Sequence, residues 1–143
     1  MQFSFDWICQ YVGCGESAAR IADRLTAAGL AVESQEARGD EVLYDVDVTT
    51  NRPDCMNHFG MAREVAALVG RPLIEPPVDI DEGGQETSGV IEVELEDPIG
   101  CPRYVARVVQ GVQVAPSPGW LVERLESIGQ RPINNIVDIT NFV

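Results

Sequence analysis

The sequence contains no lysine: its 10 cationic side chains are all arginine, against 23 acidic ones, and the net charge is −13. A chain this acidic repels nucleic acid overall, which speaks against a general DNA or RNA binder. No apolar run approaches the roughly 20 residues that a membrane helix needs. The N-terminus also lacks the basic region and the apolar stretch of a signal peptide. We therefore expect a cytoplasmic protein without a membrane partner.

Residues that bind metals or carry redox chemistry are few and scattered. The chain has four cysteines and a single histidine. The cysteines, Cys9, Cys14, Cys55 and Cys101, form no C-x-x-C pair, and His58 has no second histidine near it. Zinc sites need closer ligand clusters than this. We therefore predict no metal site, and four reduced thiols that are mostly structural.

The negative charge is concentrated in the middle of the chain. Residues 72–97 carry 9 acidic side chains and no basic one, whereas residues 1–71 have a net charge of −5 and residues 98–143 of +1. Several glycines interrupt the acidic stretch, as is typical of a linker. We therefore predict a first module at residues 1–76, an acidic linker at 77–89 and a second part at 90–143.

The first module is predicted to combine helices with a β-hairpin. Ser17 is a good N-cap and Gly29 a good stop for an amphipathic helix between them. Alternating apolar and polar residues then predict strands at 30–37 and 42–48. A helix capped by Asp54 is expected to follow the hairpin. These signals place the chain in the α+β class.

The second part is predicted to begin with strands and to continue with helices. Alternation indicates strands at 90–95 and 103–109. Ser117 followed by Pro118 predicts a helix start, with the serine hydroxyl as cap. Apolar residues at helical spacing predict a last helix over 133–143. The apolar pattern is still rising at the last residue, so we interpret the chain as a fragment of a longer one.

Three phrases of the sequence carry a family resemblance. They are residues 48–68 (VTTNRPDCMNHFGMAREVAAL), residues 101–112 (CPRYVARVVQGV), and residues 116–121 (PSPGWL) followed by 129–143 (GQRPINNIVDITNFV). In this order, they resemble segments of bacterial phenylalanyl-tRNA synthetase β subunits. Residues 3–8 (FSFDWI) and 25–33 (LTAAGLAVE) add to the resemblance. The resemblance covers nearly the whole chain, apart from the acidic linker.

The resemblance implies a fold and a function. The fold would be a small helix-rich, winged-helix-like module with a β-hairpin, followed by the beginning of an α+β editing domain. The complete family enzyme is an α2β2 heterotetramer that uses ATP and Mg²⁺ to join phenylalanine to its tRNA, and its aminoacylation site belongs to the α subunit. This chain would hold no cofactor and be inactive alone. The family's usual inserted oligonucleotide-binding barrel is absent here.

The resemblance also implies candidate site residues near the end of the chain. Thr140 and Asn141 match a Thr-Asn pair that lines the family's editing pocket, where tyrosine attached to the phenylalanine tRNA is hydrolysed. The nearby polar residues Asn134, Asn135 and Asp138 are costly on a helix that faces an apolar interior unless they are hydrogen-bonded. They are therefore either pocket residues or helix caps and internal hydrogen-bonding groups.

The corner around Pro53 offers a second candidate contact. Arg52 and Asp54 would touch another subunit or the tRNA, or else they bond within the turn, with Asp54 as the helix cap. The same helix carries Arg63 and Glu64, for which a surface ion pair is the simpler explanation. His58 has neither an orienting acid nor a nucleophile at obvious spacing, so we interpret it as a packing or capping residue.

Two hypotheses stand beside the ligase subunit. The first is a stand-alone, non-catalytic interaction module related to that subunit. A winged-helix DNA binder is the second, but the net charge of −5 over residues 1–71 speaks against it.

Overall fold

The computed structural model describes residues 1–143 and confirms the α+β class. Five α-helices accompany one three-stranded antiparallel sheet. The strands are β1 (Gln2–Ser4), β2 (Ala31–Arg38) and β3 (Glu41–Asp47), and the helices are α1 (Phe5–Val12), α2 (Ala18–Ala27), α3 (His58–Val69), α4 (Gly119–Ser127) and α5 (Asn135–Phe142). Residues Met1–Pro77 and Ala115–Val143 form one compact unit, and Val78–Val114 form a second. The sequence boundaries at residues 76 and 89 stay a prediction.

The predicted hairpin is confirmed. β2 and β3 pair antiparallel from Ala31 opposite Asp47 to Arg38 opposite Glu41, and β1 pairs with the other edge of β3. Gly39 turns the chain between the strands with a φ of 61°, a conformation that a side chain disfavours. The strand order β1-β3-β2 makes β3 the centre of the sheet.

One apolar core joins this sheet to the first three helices. The helices contribute residues at helical spacing, such as Ile21 and Leu25 of α2, which are fully buried. The centre of the sheet contributes Tyr44 and Val46, whose side chains are also fully buried. The hydroxyl of Tyr44 donates to the carbonyl of Ala18 at 2.6 Å, so its one polar atom is paired. The alternation along β3 thus predicted its core face correctly.

The start of α3 differs from the prediction. Residues Pro53–Cys55 form a separate 3-10 turn, and α3 begins only at His58. The cap is therefore Asn57, whose side chain accepts from the backbone N–H of Gly60 at 2.7 Å, and the prediction of Asp54 as cap is wrong. The proline favours this early turn because it fixes φ and has no N–H to donate.

The expectation of four reduced thiols is also wrong. Cys9 and Cys14 are joined by a disulfide, while Cys55 and Cys101 are free. Between the two bonded residues, Gly13 ends α1 with a φ of 56° and reverses the chain. The reversal brings the two Cα atoms to 5.1 Å, a separation that a disulfide can span.

The unit formed by Val78–Val114 contains no strand, so the predictions for residues 90–95 and 103–109 are wrong. Its only regular element is a 3-10 turn at Thr87–Gly89, and none of its residues is buried. The alternating apolar side chains remain exposed. A β-strand needs a hydrogen-bonded neighbour and a surface to cover, and the chain supplies neither here.

Helices α4 and α5 lie near the expected positions, but α4 is capped differently. Pro118 is its N-cap, without a side-chain hydrogen bond, and the hydroxyl of Ser117 donates to Asp138 instead. Leu121 and Leu125 form the buried face of α4. None of the helices combines the length and the apolar character that a membrane crossing requires.

Candidate functional site

The start of α5 is tied down by its own polar residues. The side chain of Asn134 accepts from the backbone N–H groups of Ile136 and Val137 at 3.1 and 3.0 Å, which makes it the helix cap. The side chain of Asn135 accepts from the N–H of Ala115 at 3.1 Å. These hydrogen bonds favour the interpretation of the two asparagines as capping and internal bonding groups.

Asp138 is the most deeply buried acidic group of this region, with no exposed surface. One carboxylate oxygen accepts from the backbone N–H of Ile133 at 2.8 Å, and the other accepts from the hydroxyl of Ser117. These bonds join the loop before α4, the loop before α5 and α5 itself. A buried carboxylate that is fully paired in this way acts as a structural anchor.

Thr140 and Asn141 are neighbours in sequence, and both are exposed, but only one of them lines a cavity. Asn141 lines a cavity of about 360 Å³ between α5 and the first module. Thr140 is exposed, does not line this cavity, and donates its hydroxyl to the carbonyl of Val137 at 2.6 Å. The structure thus brings only one of the two predicted pocket residues to a cavity.

Aromatic rings form the main wall of this cavity. Trp7 lies between two of them: its ring stacks on His58 at 3.9 Å and on Phe142 at 5.0 Å, measured between centroids. Its other neighbours include Arg124, whose guanidinium carbon lies 4.9 Å from the Trp7 ring centroid. This stack connects α1, α3, α4 and α5, and amide side chains including Gln130 and Asn141 complete the lining. A cavity of this size and lining suits an uncharged, planar group.

His58 is held in its neutral form. Burial, and secondarily the charge of Arg124, lowers the pKa of His58 to about 3. Its Nε2 accepts a hydrogen bond from the backbone N–H of Ser4 at 3.0 Å, which requires an unprotonated nitrogen. The interpretation of His58 as a packing residue is confirmed, and a role as a proton-transfer base near neutral pH does not fit it.

Arg52 and Asp54 lie away from this cavity in a network of their own. The guanidinium of Arg52 pairs with the carboxylates of Asp54 at 2.9 Å and Glu64 at 2.8 Å. The hydrogen bond from Arg52 lowers the pKa of Asp54 to about 2 and raises the pKa of Arg52. Arg63 lies 3.6 Å from Asp54 rather than pairing with Glu64. The bonds within the turn favour the structural explanation for Arg52 and Asp54.

The same network contains the chain's candidate ligand cluster. Ligand atoms of Asp54, Cys55 and Glu64 lie within 4.8 Å of one another. Arg52 donates to or pairs with all three of these groups, so its guanidinium already supplies the positive charge. Burial raises the pKa of the Cys55 thiol to about 11, which opposes the thiolate that a metal would need.

The aromatic stack is the part of the site that sequence reasoning missed. Trp7, His58 and Phe142 are far apart in sequence, and neither periodicity nor spacing links them. The available signal was the scarcity of such residues: the chain has 2 tryptophans and 1 histidine.

Comparisons with known proteins agree with the resemblance. A family model described as the B3/4 domain matches residues 100–143. The phenylalanine–tRNA ligase β subunit of Rhodopirellula baltica is 42% identical over 143 residues, which is 100% of this chain and 21% of that protein. The chain is a homologue of phenylalanine–tRNA ligase β subunits. The corresponding subunits of Syntrophotalea carbinolica and Anaeromyxobacter dehalogenans are 50% and 51% identical over 72% and 73% of the chain, and 13% of their own length. The chain spans about a fifth or less of the length of these β subunits.

Proposed function

We propose that this chain is a segment of a phenylalanine–tRNA ligase β subunit, with a structural module at residues 1–76 and the first part of an editing domain at 90–143. The observation that carries the proposal is the similarity to these β subunits along the whole chain. The B3/4 match at residues 100–143 supports the assignment of the second part. The complete enzyme would be cytoplasmic and pair with an α subunit. It would attach phenylalanine to its tRNA with ATP and Mg²⁺.

Within that enzyme, the segment would act as scaffold and as one wall of the proofreading pocket. Asn141 has the stronger support, because its side chain lines a cavity with an aromatic wall. Thr140 would contribute only if its exposed side chain faces the remainder of the editing domain. Asn134, Asn135 and Asp138 would hold α5 in place, since their hydrogen bonds cap the helix and join it to the loops before α4 and before α5. Editing is needed where a binding site cannot reject a near-isostere strongly enough.

A chimeric enzyme tests the proposal. The matching fifth of the Rhodopirellula baltica β subunit is replaced by this chain, and the chimera is co-expressed with its α subunit. We expect phenylalanylation of the tRNA to be retained, and the isolated chain to hydrolyse no tyrosyl-tRNA. A chimera that folds and assembles but does not aminoacylate would favour the stand-alone interaction module. Robust deacylation by the isolated chain would contradict its assignment as an incomplete site.

Substitutions in the chimera test the pocket residues separately. We expect Asn141→Ala to slow tyrosyl-tRNA hydrolysis at least tenfold while phenylalanylation is unchanged. Thr140→Ala is expected to have the same effect only if the completed domain covers that side chain. Glu126→Ala, an exposed residue on the neighbouring α4, is the matched control and should leave both activities unchanged. Unaltered editing by the Asn141 variant would remove this residue from the proposed pocket.

A further inference from the structure

The corner between α1 and α2 is closed by the Cys9–Cys14 disulfide. Cys14 belongs to the apolar core and is 3% exposed, whereas Cys9 is only partly buried. The bond therefore links Cys9 in the last part of α1 to Cys14 in the core, and the turn at Gly13 lies between them. An attacking thiol would reach the sulfur of Cys9 more easily than that of Cys14.

The same corner anchors the segment that follows α3. The guanidinium of Arg71 donates to the carbonyl of Gly13. It also lies over Gly15, where an added Cβ would collide with it. The backbone N–H of Ile74 donates to the carbonyl of Tyr11 at 2.5 Å. Two hydrogen bonds thus attach residues 71–74 to the loop that the disulfide closes.

We propose that Cys9 and Cys14 form a thiol–disulfide switch that controls the attachment of residues 71–74 to this corner. In the oxidised state the loop is closed and presents the carbonyls of Tyr11 and Gly13 to the segment. In the reduced state, the corner gains conformational freedom, and both hydrogen bonds weaken together. The inference rests on the disulfide and these contacts, and it is independent of the proposed ligase function.

The chemical step is thiol–disulfide exchange with a small thiol. The thiolate of the small molecule attacks the sulfur of Cys9 and forms a mixed disulfide with it. The bond between the sulfurs of Cys9 and Cys14 breaks, and Cys14 leaves as a thiolate that takes up a proton. A second small thiolate then attacks the mixed disulfide at its outer sulfur and releases Cys9. One protein disulfide and two small thiols thereby become two protein thiols and one small disulfide.

The change is expected to stay local. The bridge closes a loop of only a few residues, so it restricts a small part of the unfolded chain. Ile8, Ile21 and Leu25 belong to a larger core cluster in which Cys14 is the only disulfide-bonded residue among the buried members, so we expect them to stay buried in either redox state. The core should therefore survive reduction while the corner loosens.

A redox titration of the whole chain tests the proposal. The protein is equilibrated in mixtures of reduced and oxidised dithiothreitol, the thiols are counted by alkylation and mass spectrometry, and amide hydrogen exchange is measured. We expect two further alkylated thiols in the reduced protein. Exchange at Ile74 should accelerate at least tenfold in the same transition, while exchange at Leu25 stays constant. Equal exchange at Ile74 in both states, or four thiols under every oxidising condition, would overturn the proposal.

Cysteine variants provide the matched controls. The double variant C9S/C14S should show fast exchange at Ile74 at every redox potential, and C55S/C101S should titrate like the parent protein. If the first variant does not fold, the titration of the parent chain still decides the question. Slow, parent-like exchange at Ile74 in a folded C9S/C14S protein would also contradict the switch.

Discussion

Two stretches of this chain carry the same alternating pattern, yet only one of them forms a sheet. Along β3, the side chains of Tyr44 and Val46 are buried against the helices, and both edges of the strand have a hydrogen-bonded neighbour. In residues 90–95, the alternation is as regular, but no strand forms and the side chains of Ile91, Val93 and Leu95 are exposed. Alternation therefore indicates which residues can share a face. A strand forms only where the segment also has a neighbouring strand to pair with and a layer that covers its apolar face.

The largest expected difference between the two regions concerns apolar side chains. Leu25→Ala should lower the free energy of unfolding by about 3 kcal/mol, because it opens a cavity in the core. Val105 is 67% exposed, so Val105→Ala should change the free energy of unfolding by less than about 0.5 kcal/mol. Urea unfolding followed by tryptophan fluorescence measures both. Equal losses for the two variants would mean that residues 78–114 contain a core of their own.

Local signals account for the parts of the fold that the sequence predicted correctly. The hairpin, the cap of α2 at Ser17 and the buried face of α2 depend on residues a few positions apart. The cap at Asn57 is also local, since its partner Gly60 is three residues away, but the 3-10 turn at Pro53–Cys55 moves the helix start past Asp54. The stack of Trp7 on His58 depends on where distant segments pack, and no local pattern encodes that. The site was predictable to the same degree: Asn141 came from a motif, and the aromatic wall that gives it a cavity did not.

A glycine pair tests how tightly the first module is packed. A Cβ on Gly60 would collide with the backbone carbonyl of Asp54, so Gly60→Ala should cost about 2 kcal/mol. Gly119, the first residue of α4, has nothing within 4 Å of such an atom. Gly119→Ala should be neutral or stabilise by up to about 1 kcal/mol, because alanine favours helix. Similar effects in thermal unfolding of both variants would contradict the close contact between α3 and the preceding turn.

The single histidine gives the first module a pH dependence, and residues 78–114 contain no histidine. The pKa of His58 is about 3 in the folded protein, below its ordinary value of about 6.5, so the unfolded state binds the proton more readily between these values. Above pH 6.5 the histidine is neutral in both states and does not lower the free energy of unfolding. As the pH falls from 6.5 toward 3, protonation of the unfolded state lowers the free energy of unfolding. Between pH 7 and pH 5 we expect a loss of about 2 kcal/mol.

Chemical denaturation at a series of pH values measures this effect. His58→Gln keeps an acceptor for the N–H of Ser4 but does not titrate, so its stability should vary much less over this range. Arg124 is the charged group that disfavours the protonated ring, and its replacement by Gln should reduce the slope slightly. A histidine variant with an unchanged pH slope would place the titrating group elsewhere.

The smallest effect tests whether α4 and α5 are held together by Asp138. Ser117→Ala removes one of the two hydrogen bonds of this buried carboxylate and should cost about 1 kcal/mol. Ser34→Ala, at an exposed position of β2, is the control and should change stability by less than about 0.5 kcal/mol. Because the two changes remove the same atom, any difference in their unfolding free energies reports the burial of its partner. A neutral Ser117 variant would show that the N–H of Ile133 alone satisfies the carboxylate, and that the ends of α4 and α5 are more independent than their shared anchor indicates.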